Sequence, residues 1–180
     1  MRLLIASDIH GSAYFCRKLL EAYDQEKADK LILLGDILYH GPRNNLPEEY
    51  APKEVIDMLN ARKGEILCVR GNCDTEVDQM VLEFPILAEY AFLYEQDRMI
   101  FLTHGHVFNE HNLPMLKNGD ILLHGHTHVP VCREHTAYVY MNPGSVSIPK
   151  EKSPHSYMVY EHGLFVWKDL EQKEYLSYHL

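Results

Sequence analysis

Positive charge is scarce in this sequence. Seventeen Lys and Arg stand against 26 Asp and Glu, a formal net charge of −9 over 180 residues. A chain of that sign has no general attraction for phosphate backbones or anionic bilayers. Strong binding to nucleic-acid polymers or membranes is therefore not expected, and a small anionic ligand needs local positive charge, which metal ions could supply. Cysteine is sparse as well. Cys16, Cys68, Cys73 and Cys132 form no CxxC pair and read as reduced thiols of a cytoplasmic protein. Long apolar runs are missing. Leu3–Ala6 is shorter than the ~7–15 residues of a signal-peptide core, and no stretch approaches the ~18 of a membrane span. Repeats, linkers and low-complexity segments are absent too. At 46% hydrophobic and 24% charged, the composition excludes a disordered chain, a collagen-like repeat and a coiled coil. The length suits one domain, residues 1–180, with one sizeable core.

What the sequence has in excess is histidine, 12 residues. Their setting follows from the pattern of elements. Residues 2–7 (RLLIAS) predict a buried strand, and 12–24 a helix with Phe15, Leu19, Leu20 and Tyr23 on one face. Residues 30–34 predict a second strand. A Pro-rich loop follows at 41–52, then a helix at about 53–62 with Val55, Ile56 and Leu59 inward. A third strand is expected at 65–70 and a short helix at about 75–82. Thereafter strands dominate: 86–94, 98–103, 120–124, 130–134, 137–141, 156–161, 164–168 and, weakly, 174–179. Strand–helix alternation followed by a run of strands predicts two sheets packed face to face with helices outside.

The chemistry sits where the strands stop. The first ends in Asp8-Ile9-His10-Gly11, the second in Gly35-Asp36, the third in Gly71-Asn72-Cys73-Asp74. The strand at 98–103 runs into His104-Gly105-His106, and that at 120–124 into Gly125-His126-Thr127-His128. Ligands of open α/β sheets bind at the carboxyl ends of strands. Five such ends here each offer Asp, Asn or His beside a Gly, which permits a tight turn. On an extended backbone, Asp8 and His10 project to one side, as do His126 and His128, so each pair can clamp one centre. Asp36 has two oxygens and can bridge. The set Asp8, His10, Asp36, Asn72, His104, His126 and His128 suits two divalent ions with positions left for water and substrate. Imidazole, carboxylate and amide oxygen suit Mn²⁺, Fe²⁺, Zn²⁺, Co²⁺ or Ni²⁺, and high coordination with open positions favours Mn²⁺.

This ordered set resembles the calcineurin-like metallophosphoesterase superfamily: D-x-H, G-D, G-N-[HC]-[DE], H and G-H-x-H. Residues 40–44 (HGPRN), 71–74 (GNCD), 103–106 (THGH) and 142–149 (NPGSVSIP) are similar to the small bacterial phosphodiesterases of the YfcE type. The resemblance implies a four-layer αββα sandwich, a two-metal centre and hydrolysis of small phosphodiesters. It implies one metal held by Asp8, His10, Asp36 and His128, and the other by Asp36, Asn72, His104 and His126. A homo-oligomer is also implied. A two-metal centre acidifies a shared water and neutralises a phosphate, which gives Asp36, Asn72 and His104 catalytic roles.

Cys73 departs from the His that many members carry after Gly-Asn. A thiol near pKa ~8.5 is a poor general acid, and neighbouring cations would push it toward thiolate. Substrates with a stable leaving group, diesters above monoesters, are then expected; the alternative is that Cys73 only packs. Arg43 can reach a phosphate or brace its loop. His106 can orient substrate or hold a ligand. Asp74 reads as a helix cap rather than a catalyst. The other reading of the whole chain is a catalytically weak protein-interaction scaffold of the same fold, as in the retromer subunit of this architecture; the complete ligand set favours an enzyme.

Overall fold

Strand β1 (Arg2–Ala6) is apolar at every position after Arg2, and both of its faces are covered. The computed structural model, which describes residues 1–95 and 97–180, shows why. Leu4 and Ala6 face the helices α1 (Ala13–Glu26) and α2 (Pro52–Asn60), with Phe15, Leu19, Leu20, Tyr23, Val55 and Leu59 against them. Leu3 and Ile5 face the opposite way, into a layer shared with the second sheet. A strand buried on both faces loses the polar alternation of a solvated one.

β1 pairs in parallel with β2 (Lys30–Leu33), and β2 with β3 (Ile66–Cys68). On its other side β1 pairs antiparallel with β9 (Ser156–Glu161), which leads to β10 (Leu164–Asp169) and β11 (Glu174–His179). The second sheet runs β4 (Tyr90–Glu95), β5 (Arg98–Thr103), β6 (Asp120–His124), β8 (Tyr138–Pro143), β7 (Pro130–Glu134). Its centre, β5–β6–β8, is parallel and its two edges antiparallel. Both sheets are therefore mixed, and the expected helix-flanked two-sheet sandwich is present. The outer face of the second sheet is covered by the segment after β5, whose Phe108 and Leu116 pack on Phe101, Leu122, Tyr138 and Tyr140. A four-residue helix, α3 (Glu76–Gln79), follows β3. Among the described residues no helix is long and apolar enough to cross a membrane.

The parallel strands β1, β2 and β3 end at one edge of the first sheet, and β5 and β6 end beside them. The two sheets are joined at this edge by Trp167 of β10. Its ring is fully buried, and its indole N–H donates to the Asn142 carbonyl of β8 at 2.7 Å. Trp167→Phe keeps most of the buried ring and removes that donor. It should lower the unfolding free energy by about 1–3 kcal/mol, read as a shifted urea midpoint at unchanged slope. An unshifted midpoint would show that the bond contributes nothing net.

Candidate metal centre

Three of the five strand ends break into left-handed turns at the ligand residues themselves, which the sequence reading did not foresee. Asp8 (φ 62°), His10 (φ 50°), Asp36 (φ 55°), His126 (φ 66°) and His128 (φ 62°) all lie in the left-handed region. The expectation that Asp8/His10 and His126/His128 share a side of an extended backbone is therefore corrected. Their convergence comes from left-handed turns, a conformation that non-glycine residues adopt at a cost and keep only where surroundings hold it.

Those surroundings are specific. The Asp8 carbonyl accepts from the hydroxyls of Ser145 and Ser147, each at 3.0 Å. Asn142 donates to the Gly125 carbonyl at 2.8 Å and to the Thr127 hydroxyl at 3.0 Å. Asp74 is not the cap expected from the sequence: α3 is capped by Thr75. Its carboxylate instead accepts from the backbone N–H of Asp36 (2.9 Å), Ile37 (2.9 Å) and Gly71 (2.7 Å), tying the ends of β2 and β3 together. Gly71 lets the two turns touch, since a Cβ there would lie 2.2 Å from the Asp36 nitrogen.

The side chains meet at two points. At the first, His10 Nε2 lies 3.3 Å from His128 Nε2, with Asp8 Oδ1 3.6 and 3.3 Å from the two. At the second, His104 Nε2 lies 3.0 Å from Asn72 Oδ1, 3.1 Å from His126 Nδ1 and 3.4 Å from Asp36 Oδ2. Asp36 Oδ2 is also 3.7 Å from His10 Nε2, so this one oxygen stands between the points. Its other oxygen accepts the Cys73 backbone N–H at 2.8 Å. Asp8, His10 and His128, and likewise Asp8, Asp36 and His104, form groups compact enough to hold an ion, as do His10, Asp36 and Cys73.

The tautomers fit a cation. The Nδ1 atoms of His10, His104 and His128 face the carbonyls of Tyr39 (2.7 Å), Leu34 (2.6 Å) and Ile148 (2.6 Å). A carbonyl demands a donor, so Nδ1 carries the proton and the Nε2 lone pair points inward. The Nε2 atoms of His10 and His128 then face each other across 3.3 Å. Asp8 Oδ1 is fully buried and has no hydrogen-bond partner among the described residues. Acceptors without donors around a buried point call for positive charge.

The protonation equilibria show the same demand. Burial alone would raise Asp8, but His10 and His128 outweigh it and hold its carboxyl well below the ordinary range. Burial opposes charge on His104, yet Asp36 and Asp8 raise its pKa to about 9. His126, half-buried and facing His104, falls to about 4. Burial, and then the Asp36 carboxylate, push the Cys73 thiol up, so this chain's own groups keep it protonated, against the thiolate tendency expected from the sequence.

A cavity of about 470 Å³ opens over this centre, lined among others by His10, Asp36, Asn72, Cys73, His126 and His128. Arg43 lines its wall, as does Lys150, which the sequence reading passed over. Lys150 is placed by its backbone N–H, which donates to the His128 carbonyl at 3.1 Å. The sequence signal was its proximity to residues 142–149. His106 does not line this cavity; it is exposed, its ring 5.4 Å from His104 and 6.3 Å from His126.

A two-sheet sandwich with carboxylates and imidazoles converging at its strand ends defines a metal-dependent phosphoesterase. The calcineurin-like phosphoesterase superfamily domain matches residues 1–163, and the chain belongs to that superfamily. It is 50% identical over 157 residues to the phosphodiesterase YfcE of Escherichia coli K12, covering 87% of this chain and 85% of that protein. The solved structure of YfcE, a phosphoesterase from E. coli, superposes with a TM-score of 0.96 at 45% identity over 99% of both chains. Vacuolar protein sorting 29 of Cryptosporidium parvum, at 19% identity, TM-score 0.61 and coverage of 99% and 98%, shares the fold alone.

Asp74→Ala removes one acceptor from three buried N–H groups. The variant should lose about 2–4 kcal/mol of stability. It should also bind Mn²⁺ roughly 10–100-fold more weakly, measured by urea unfolding and by equilibrium dialysis with elemental analysis. Unchanged Mn²⁺ affinity would show that the turns hold their geometry without it.

Proposed function

We propose that this protein hydrolyses small phosphodiesters at a pair of divalent cations, Mn²⁺ by preference, with all 180 residues acting as one cytoplasmic domain. The observation that carries this reading is the buried Asp8 Oδ1 without a donor beside two inward-facing imidazole nitrogens. Asp8, His10, Asp36 and His128 would hold one cation; Asp36, Asn72, His104 and His126 would hold the other. Bound there, the pair supplies Lewis-acid stabilisation of a phosphoryl group and acidifies water. The likeness to YfcE, a phosphodiesterase, supports this activity.

The chain's own residues set the preference among substrates. Two buried carboxylates offset much of the charge of two cations, and Arg43 and Lys150 add two more positive charges at the rim. Arg43 would grip a phosphoryl oxygen, and the Asn72 amide would orient another. His106 would act on substrate from outside the cavity. Cys73, a protonated thiol, is a weak proton donor where a departing oxygen needs one, so substrates that leave as stable anions are favoured. The exposed aromatic row Tyr90, Phe92 and Tyr94 on edge strand β4 supports a homo-oligomer. Four unpaired cysteines support the cytoplasmic assignment.

Protein stripped of metal and reloaded separately with Mn²⁺, Zn²⁺, Ni²⁺ or Mg²⁺ should cleave bis(p-nitrophenyl) phosphate best with Mn²⁺ and p-nitrophenyl phosphate poorly with each. Elemental analysis should give two ions per chain. No turnover with any metal, in folded and loaded protein, would refute the proposal. In Cys73→His the monoester-to-diester ratio should rise roughly tenfold or more; an unchanged ratio would leave Cys73 a packing residue.

A further inference from the structure

A second cavity lies beside the first. It measures about 390 Å³ and is lined by Tyr39, Tyr50, Ile56, Val77 and Val81, with Cys73 at one end. Cys73 also lines the cavity over the metal centre, so the two spaces are neighbours across its side chain. One loop separates them elsewhere: Tyr39 faces the second cavity, whereas Gly41, Pro42 and Arg43 face the first. The loop is well anchored. The Tyr39 carbonyl accepts the His10 Nδ1–H at 2.7 Å. The His40 ring packs edge-on against Tyr39 and Tyr50, with centroids 4.8 and 5.2 Å away.

The two spaces differ in chemistry. The first presents Arg43, Lys150 and imidazoles. The second presents apolar side chains that remain open to solvent: Tyr39 is 42% exposed, Val77 69% and Val81 43%. Val77 lies in α3 and Val81 in the turn that continues it, where its N–H donates to the Asp78 carbonyl at 3.1 Å; both line the groove. Its charged residue, Asp78, is engaged by the Thr75 backbone N–H (2.7 Å) and hydroxyl (2.8 Å). Among the described lining residues there is no cation, and Asp78 would repel an anion. Such a groove takes a neutral apolar group and disfavours a second phosphate or a carboxylate. Its nearness to the metal-facing cavity, with the Cys73 side chain lining both and the loop at 39–43 between them, sets what that group is attached to.

Resting on the phosphodiesterase reading above, we infer that this groove receives one ester arm of the substrate, an uncharged aryl or alkyl group. The phosphodiester itself sits in the cationic cavity. The substrate class is then an asymmetric diester with one apolar arm. Val77, Val81 and Tyr39 act as specificity-determining residues, outside the chemistry.

Dimethyl, butyl methyl and hexyl methyl phosphate have poor leaving groups and serve as unreactive probes. Each would compete with bis(p-nitrophenyl) phosphate in the Mn²⁺-loaded enzyme. The inhibition constant should fall roughly tenfold or more from dimethyl to hexyl methyl phosphate as methylenes leave water. That gradient should collapse in Val77→Asp and in Val81→Asp, whose exposed positions tolerate a carboxylate. In protein loaded with diamagnetic Zn²⁺ or Mg²⁺, hexyl methyl phosphate should shift the NMR methyl signals of Ile56, Val77 and Val81; unshifted signals at saturating probe would overturn the groove. Equal inhibition by all three probes with normal turnover would overturn the groove and leave the phosphodiesterase reading standing. A gradient that survives both substitutions would place the arm elsewhere and also overturn the groove. Absence of turnover with every metal would remove both.

Discussion

Two carboxylates, Asp8 and Asp36, are buried at the junction of two sheets, 0% and 2% exposed. Moving such charges out of water is costly unless positive charge meets them. The fold brings His10, His104 and His128 to them with their Nε2 atoms inward, and among the described residues no Lys or Arg forms an ion pair with them. An imidazole carries either a proton or a lone pair. The site therefore has two ways to satisfy its carboxylates, protons shared with histidine or a bound cation. The carbonyls of Tyr39, Leu34 and Ile148, by holding Nδ1–H, keep the inward nitrogens available for either.

The rest of the molecule is arranged to hold that geometry. Five of the converging residues sit in left-handed turns, and each turn is tied to a neighbour from a distant part of the chain. Ser145 and Ser147, beyond β8, fasten the turn at Asp8. Asp74, beyond β3, fastens the turn at Asp36. Asn142 fastens the turn at His126, and Trp167 of β10 fastens Asn142. The C-terminal strands thus support a site to which they contribute no metal ligand.

Strand and helix positions were legible because burial imposes periodicity. Phe15, Leu19, Leu20 and Tyr23 repeat at the helical spacing, and all four are buried. The clustering of Asp, Asn and His at strand ends was legible because parallel strands end on one side. The left-handed turns were not, because φ depends on what lies across the gap, here hydroxyls 137 and 139 residues away. Asp74 looked like a cap because local sequence shows only the helix that follows it, whereas its acceptors serve residues 36 and 37 on a different strand end. Lys150 carried no motif; only the hydrogen bond to the His128 carbonyl brings it to the cavity.

The sequence by itself determined which residues could bind a metal, and the order in which strands would present them. Residue type fixes donor chemistry, and apolar periodicity fixes where a strand must stop. Tertiary structure alone decided that Asp36 Oδ2 stands between two groups of nitrogens, that the Cys73 thiol is held protonated among carboxylates, and that a second, apolar space opens beside it. These are distances between side chains far apart along the chain. They exist only when both sheets, the loop at 38–50 and α3 have packed, and no local pattern of residues encodes them.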